Sequence, residues 1–513
     1  MSCVHQITEL HKQALEELNS SNFSDALKFT RRIQSLGSDY LVAYAVSGLL
    51  IDIGSASNDE NVISEGVNLL QKNLEEIVRN KKLAASAYYN LANGFHGLFN
   101  VKRRNNTSYG YFDETEIDKA KELFRKALEQ ETDNQHFVSE MYVNLGNCFD
   151  EVGRAVEAQE CYDEALRRNP EHGMALGNKG QGLFHYAVLS DEHLGTFMKE
   201  AYILLSKALE KGVPPEAAPT FANYIKIIEQ NVKSKQLFDK PLEYPGYKIV
   251  AETTFEQFLI EFCLEHKLYL NLCNFCQKCD AAIGDTVVIR KMIAKPNEKS
   301  FFLLSSYLNH IKQDYVTARF LLVLSRYKGI SLDFVDKNVK LVDTHEYMRY
   351  NIYIQLAKEA FKSFYNVLDK IACFINYYLK LGISENKVDF RNVWYSDTKT
   401  RKIRRPIRDN GNSGLNALFD INRDFESGAY VTLRKSRNAL THRFLNVRVI
   451  QEIEDEENMT EESLVKKTLQ LAKIVRSTII YLLFFCLLVR KQKREKCKRT
   501  DFTTLDKRTS RQP

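Results

Sequence analysis

The chain has 513 residues, 44% of them hydrophobic and 27% charged, with a formal net charge of +6. That balance excludes a disordered or a membrane protein, and so mild a charge does not by itself mark a nucleic-acid binder. At roughly 150 residues per domain the length implies about two to four domains. Only 9 prolines and 22 glycines interrupt it, and the stretches between them carry Leu, Ala, Lys and Glu at helical spacing, which predicts an all-α fold. The 10 cysteines form no secreted framework, and the N-terminus (Met1 to Gln6) holds no apolar leader. A reducing cytoplasmic setting is expected.

The first half carries a repeating order. Weak helical pairs run through Ala26 and through Tyr40 to Leu70. Tyr88, Leu91, Ala92 and Phe95 then open a repeat that Phe124 and Ala127 close, with an extra loop around Asn105 to Tyr111. The clearest copy reads Tyr142, Leu145, Gly146, Phe149, Gly153, Ala158, Tyr162, Ala165, Pro170. Its small residues let two helices approach, its aromatics fill the groove between them, and Pro170 stops the second helix. The order returns with Leu176 and Gly180 and closes through Ala201, Leu205 and Ala208.

These positions resemble tetratricopeptide repeats, most specifically over residues 139 to 180. About four or five helical hairpins are expected, forming a solenoid whose concave surface binds a protein or peptide. The run Gly177-Asn178-Lys179-Gly180-Gln181-Gly182 is read as the first helix of a repeat and not as a phosphate loop.

Residues 233–299 break the rhythm with Pro241, Pro245, Gly246, Gly284 and Pro296 and read as a connecting segment. Within it Cys273, Cys276 and Cys279 follow Cys263 and His266. Thiolates spaced by two residues can share a tetrahedral zinc ion, but no second separated pair completes the set. Buried reduced cysteines are the favoured reading, zinc the alternative.

Helical patterns then cover Phe301 to Tyr327 and His345 to Leu381, the second with an apolar stripe of Phe364, Leu368, Ile371, Ile375 and Tyr378. A basic loop follows, with Lys399, Arg401, Lys402, Arg404, Arg405 and Arg408, then two shorter helical segments and a long last helix from Glu462 to about Lys493. Together they predict a bundle. The apolar run from Ile479 to Val489 reads as a core helix because it is about half the length that spans a bilayer. A basic stretch, Arg490 to Arg499, comes after it.

The segment Val431 to Val447 holds Arg437-Asn438-Ala439-Leu440-Thr441-His442. On a helix, Leu433, Leu440, Phe444 and Val447 form one stripe with Arg437 in its middle. A guanidinium there must be paired, or must face a wet cleft or a subunit interface. Asn438 and His442 are i, i+4 neighbours able to hydrogen-bond. Arg437 and His442 lie about 140° apart, so one helix alone does not assemble them.

This Arg-Asn-x-x-x-His on a late helix of a small bundle resembles the Arg-x4-His motif of the HEPN superfamily, and the likeness extends over roughly residues 250 to 490. The resemblance implies an endoribonuclease that works without metal or other cofactor, as in bacterial toxins and anti-phage defence. It assigns His442 to proton transfer, Arg437 to the phosphate and Asn438 to orientation, in a cleft shared by a homodimer. Asp369 either approaches the motif arginine or makes an ordinary ion pair between helices. The six loop cations and Arg490 to Arg499 either guide RNA or form a solvated surface. A rival reading is a non-catalytic scaffold whose HEPN-like domain only dimerises or binds RNA or nucleotide. The expected domains are 1–232, the repeat array; 233–299, the connection; 300–497, the bundle; and 498–513, a flexible basic tail.

Overall fold

In the computed structural model the described residues are 3–105, 112, 115–190, 194–231, 238, 249–272, 280–288, 299–342, 347–449 and 457–509. The chain divides into two compact units, Met1–Pro241 and Leu242–Pro513.

The first unit consists of α1 (Cys3–Asn19), α2 (Phe23–Gln34), α3 (Tyr40–Ser57), α4 (Glu60–Arg79), α5 (Lys81–Asn105), α6 (Glu116–Leu128), α7 (Gln135–Glu151), α8 (Ala155–Arg168), α9 (Gly173–Ser190), α10 (Leu194–Lys211) and α11 (Ala218–Gln230). Successive helices pair as α1 with α2 through α9 with α10, and α11 packs on α10, so five hairpins stand among the described residues. Side-chain caps start several helices: Asp39 accepts from the amides of Leu41 and Val42, and Asn134 from that of Phe137. Turns use the left-handed region where no side chain obstructs, as at Gly153 (φ 84).

Between α7 and α8 the small-residue rule is literal. A Cβ on Gly146 would stand 2.6 Å from the Tyr162 ring. Phe95, Phe99, Phe124, Phe149 and Tyr162 fill one continuous core. The glycines at 177, 180 and 182 lie within α9, where a Cβ would meet Phe221, Leu205 and Gln159. They serve close helix packing, as expected. The loop residues 106–111 lie outside the described residues.

The second unit contains α12 (Thr254–Glu265), α13 (Lys299–Arg326), α14 (Ile352–Tyr378), β1 (Tyr395–Asp397), β2 (Lys402–Ile403), α15 (Arg405–Asp409), α16 (Ser413–Glu426), α17 (Val431–His442), β3 (Asn446–Arg448), β4 (Asn458–Thr460) and α18 (Glu461–Thr509). Helices α13 and α14 pack along their length; α18 packs on α13, α14 and α16, and α17 on α14 and α16. An 18-residue window of Glu461–Leu488 is apolar enough to span a bilayer, yet 83% of it is buried within the protein, which makes α18 a core helix.

Four expectations are corrected or refined. The helix after His345 begins at Ile352, because the Asn351 side chain caps it at the Ile354 amide and residues 347–349 pair with the strand that contains β3. The motif helix stops at His442, not Val447: Arg443 turns extended and residues 446–448 join β4 in parallel register. No Gly or Pro announces that break. Residues 254–272 and 280–288, read as part of a connection, include a helix and pack into the second unit, where Asp285 accepts from both terminal Arg319 nitrogens (2.8 and 2.6 Å) and Tyr315 donates to the Leu268 carbonyl. The backbone of the expected flexible tail is helical as far as Thr509, with neither Gly nor Pro before Pro513 to end it.

Candidate active site

Helix α17 presents the motif between α14 and the edge of β3. Leu433, Ser436 and Ala439 face inward and are buried, so the remaining positions carry the polar groups outward. Arg437 is half-buried while Asn438 and His442 are exposed. The guanidinium carbon of Arg437 lies 5.2 Å from the centroid of the Tyr365 ring on α14. Tyr365 is itself steadied by an edge contact with Phe425 of α16 at 5.6 Å. This arrangement holds a cation by its apolar plane and leaves its hydrogen-bonding rim available.

No carboxylate pairs with Arg437 among the described residues; its one hydrogen bond there is a long one, 3.4 Å, to the Asn438 side chain. Asp369 stands one turn along α14 from Tyr365 and accepts the Phe390 amide at 3.0 Å. Burial raises its pKa above the usual carboxylate range, Asp389 adds to this, and the Phe390 amide and Arg437 oppose it. Asp369 therefore feels the motif arginine electrostatically without forming an ion pair with it. Burial likewise pushes the Tyr365 phenol up to about 12, so it stays protonated.

The expected hydrogen bond between Asn438 and His442 is not made among the described residues, because the Asn438 amide oxygen turns to Arg437 instead. His442 occupies the last helical position with its side chain in solvent. Arg437, Tyr365 and Asp369 are thus brought together, and His442 is not.

The basic loop forms an antiparallel hairpin, β1 with β2. Lys399, Lys402, Arg405 and Arg408 are exposed. Arg404 donates to the Val393 carbonyl at 3.1 Å, and Arg401 lies 3.5 Å from Glu426. Glu426 also accepts from the Tyr395 hydroxyl at 3.1 Å. Two of the six cations are therefore partly engaged in fixing the hairpin. The side chains of Arg490 to Arg499 and the residues Cys273, Cys276 and Cys279 lie outside the described residues. His266 is described: it follows α12 and its ring meets Phe262 at 4.4 Å.

Sequence reasoning missed Tyr365 and Glu426. Tyr365 looked like one more aromatic on an apolar helix, and only the crossing of α14 and α17 sets it under Arg437. Glu426 had no distinguishing signal, being one of four acids, with Asp409, Asp420 and Asp424, that follow the run of bases.

An all-helical protein with tetratricopeptide-type hairpins in one unit and an HEPN-like bundle with its Arg-x4-His motif in the other is the class that fold and site define. Residues 297–488 match the family described as LA2681-like HEPN, and residues 139–172 match the tetratricopeptide repeat. A solved structure, that of MamA protein, aligns with 42% of this chain and 94% of its own at 17% identity and a TM-score of 0.25. The chain finds no match among curated proteins.

Proposed function

We propose that the second unit is a metal-independent endoribonuclease of the HEPN type, and that the repeat unit binds a protein or peptide that triggers or targets it. The observation that carries this is Arg437: a half-buried guanidinium, seated on Tyr365 and paired with no carboxylate among the described residues. Keeping such a charge uncompensated is costly unless an anion completes it, and a phosphate matches its fork.

Cleavage then needs a group that removes the ribose 2′-hydroxyl proton and one that protonates the leaving oxygen. His442 supplies this proton transfer, and Arg437 stabilises the charge that builds on phosphorus. Because the two side chains leave α17 on different sides, the complete site is composite, with Arg437 of one copy and His442 of another facing one phosphate across a homodimer. A cytoplasmic toxin or anti-phage effector is the role that suits such an enzyme.

The test incubates labelled RNA, with chelator present, with the wild type, His442→Ala and Arg437→Ala. Cleavage by the wild type alone is expected. Equal cleavage by all three, or none under any trigger, would sink the assignment.

A second reading has one observation in its favour, the exposed His442 with no orienting partner among the described residues. On it the domain dimerises or binds RNA or nucleotide without cutting. RNA binding that survives both substitutions, with no product from the wild type, is its signature.

A further inference from the structure

A cavity of about 670 Å³ opens beside the motif helix, between the first half of α14 and the chain that leaves α17. Lys358 and Lys362 of α14 line one wall, and Arg443 and Phe444 the other, with Tyr350 and Glu457 completing it. Among the described lining residues three cations thus stand with one carboxylate, and Arg443 already holds that carboxylate at 2.7 Å. Lys358 donates to the Leu445 carbonyl at 2.7 Å, and Lys362 meets Glu359 on its own helix at 2.5 Å. Burial, and less so the neighbouring Lys362, lowers the pKa of Lys358, which has no carboxylate partner among the described residues.

The aromatic walls are unusually bare. Phe444 is 86% exposed and Tyr350 49%. Cations interleaved with open aromatic faces suit single-stranded nucleic acid, whose phosphates and bases use both at once. A purely apolar partner would instead bury the Lys358 ammonium, which no carboxylate among the described residues answers. Lys358, Lys362 and Tyr365 follow at steps of four and three residues, so the cavity and the seat of Arg437 share one face of α14. Along the helix Tyr365 is about 4.5 Å from Lys362 and about 10 Å from Lys358, a span on the scale of one nucleotide.

We propose that this cavity holds the nucleotide next to the scissile phosphate of a single-stranded RNA, its phosphate on Lys358 and Lys362 and its base on Phe444 and Tyr350. The assignment rests on the RNA-cleaving role of the motif.

The experiment uses the full chain and a single-stranded RNA hexamer carrying 2-aminopurine at each position in turn, with chelator present. Fluorescence quenching is expected at one position adjoining the cut, and is lost in Phe444→Ala. Phe444→Ala and Lys362→Ala each raise KM about 10-fold and leave kcat within about 2-fold. His442→Ala does the reverse, abolishing turnover while the quenching persists. If the wild type cuts RNA and KM is unchanged in both cavity variants, the nuclease stands and the subsite falls. If Phe444→Ala turns a dimer into a monomer by sedimentation while RNA still quenches, the patch joins two copies and the subsite also falls. Quenching that depends on Phe444 in a wild type that never cuts keeps the cavity and removes the nuclease. Neither quenching nor cutting removes both.

Discussion

In the repeat unit Arg154 is fully buried, lies 4.7 Å over the Phe149 ring and is paired with Glu157 at 2.9 Å. In the second unit Arg437 is half-buried, lies 5.2 Å over the Tyr365 ring and is paired with no carboxylate among the described residues. The aromatic seat is the same and the counter-charge differs. A guanidinium whose charge is answered within its own unit contributes to folding, whereas one whose charge is unanswered is available to a ligand. The histidines repeat the contrast. His96 is half-buried and stacked on Phe99, with no hydrogen-bond partner for Nε2 among the described residues, while His442 stands in solvent.

The sharpest way to break this comparison is to remove both arginines in turn. Arg437→Ala should lower RNA cleavage by roughly 10²- to 10³-fold and leave the melting temperature unchanged. Arg154→Ala should do the opposite, costing the repeat unit about 3–5 kcal/mol in a denaturant titration because it removes a fully buried guanidinium together with its Phe149 and Glu157 contacts, with cleavage kept in the folded fraction. Swapped outcomes would end the distinction.

The next largest effect concerns pH. Burial lowers the His96 pKa from 6.5 to about 4. As pH falls, the unfolded chain takes up that proton first, so stability is full above about 6.5 and is lost as pH approaches 4, by a few kcal/mol at most. Melting of the repeat unit followed across this window should show that slope, and His96→Gln should flatten it. His442→Ala should leave it untouched.

Smaller changes sharpen the picture around the motif. Tyr365→Leu removes the seat of Arg437 but not its charge, and kcat should fall about 10-fold, the scale of a partly desolvated cation–π contact. The smallest effect belongs to the hairpin: Arg405→Ala should raise KM about 2-fold and reduce its salt dependence by a fraction of one phosphate contact.

How much of this was legible in the sequence follows from how far each feature reaches along the chain. The repeats were readable because Gly146 and Tyr162 act within one hairpin, and a local period records a local contact. Arg437, Asn438 and His442 were readable as a motif, and the oddness of an arginine on an apolar stripe pointed to its need for a partner. What stayed hidden depends on distant pairing. The end of α17 at His442 is set by strand pairing to residues 458–460 and 347–349, with no breaker residue to signal it. The seat on Tyr365 and the Arg319 pair with Asp285 join residues whose spacing follows no period. The expected tie of His442 to Asn438 is not made among the described residues: the i, i+4 geometry permits that bond, but His442 ends the helix in solvent and the Asn438 oxygen meets Arg437.

The packing of α18 has a consequence for the making of the protein. It lies against α13, α14 and α16, and Arg476 in its middle donates to the Lys267 carbonyl, so a late helix of the unit locks down one of its first segments. Chains leave the ribosome from the N-terminus, and domains fold as their residues emerge. The repeat unit therefore has its full set of helices while the helix that backs α14 and α16 is still missing, and a nascent or truncated chain carries Arg437 and His442 on a bundle that has not yet closed. A chain stopped at residue 460 should keep slow amide exchange in α7 and α8 and show rapid exchange throughout α17. Slow exchange in α17 of that chain would mean that the motif is assembled before synthesis ends.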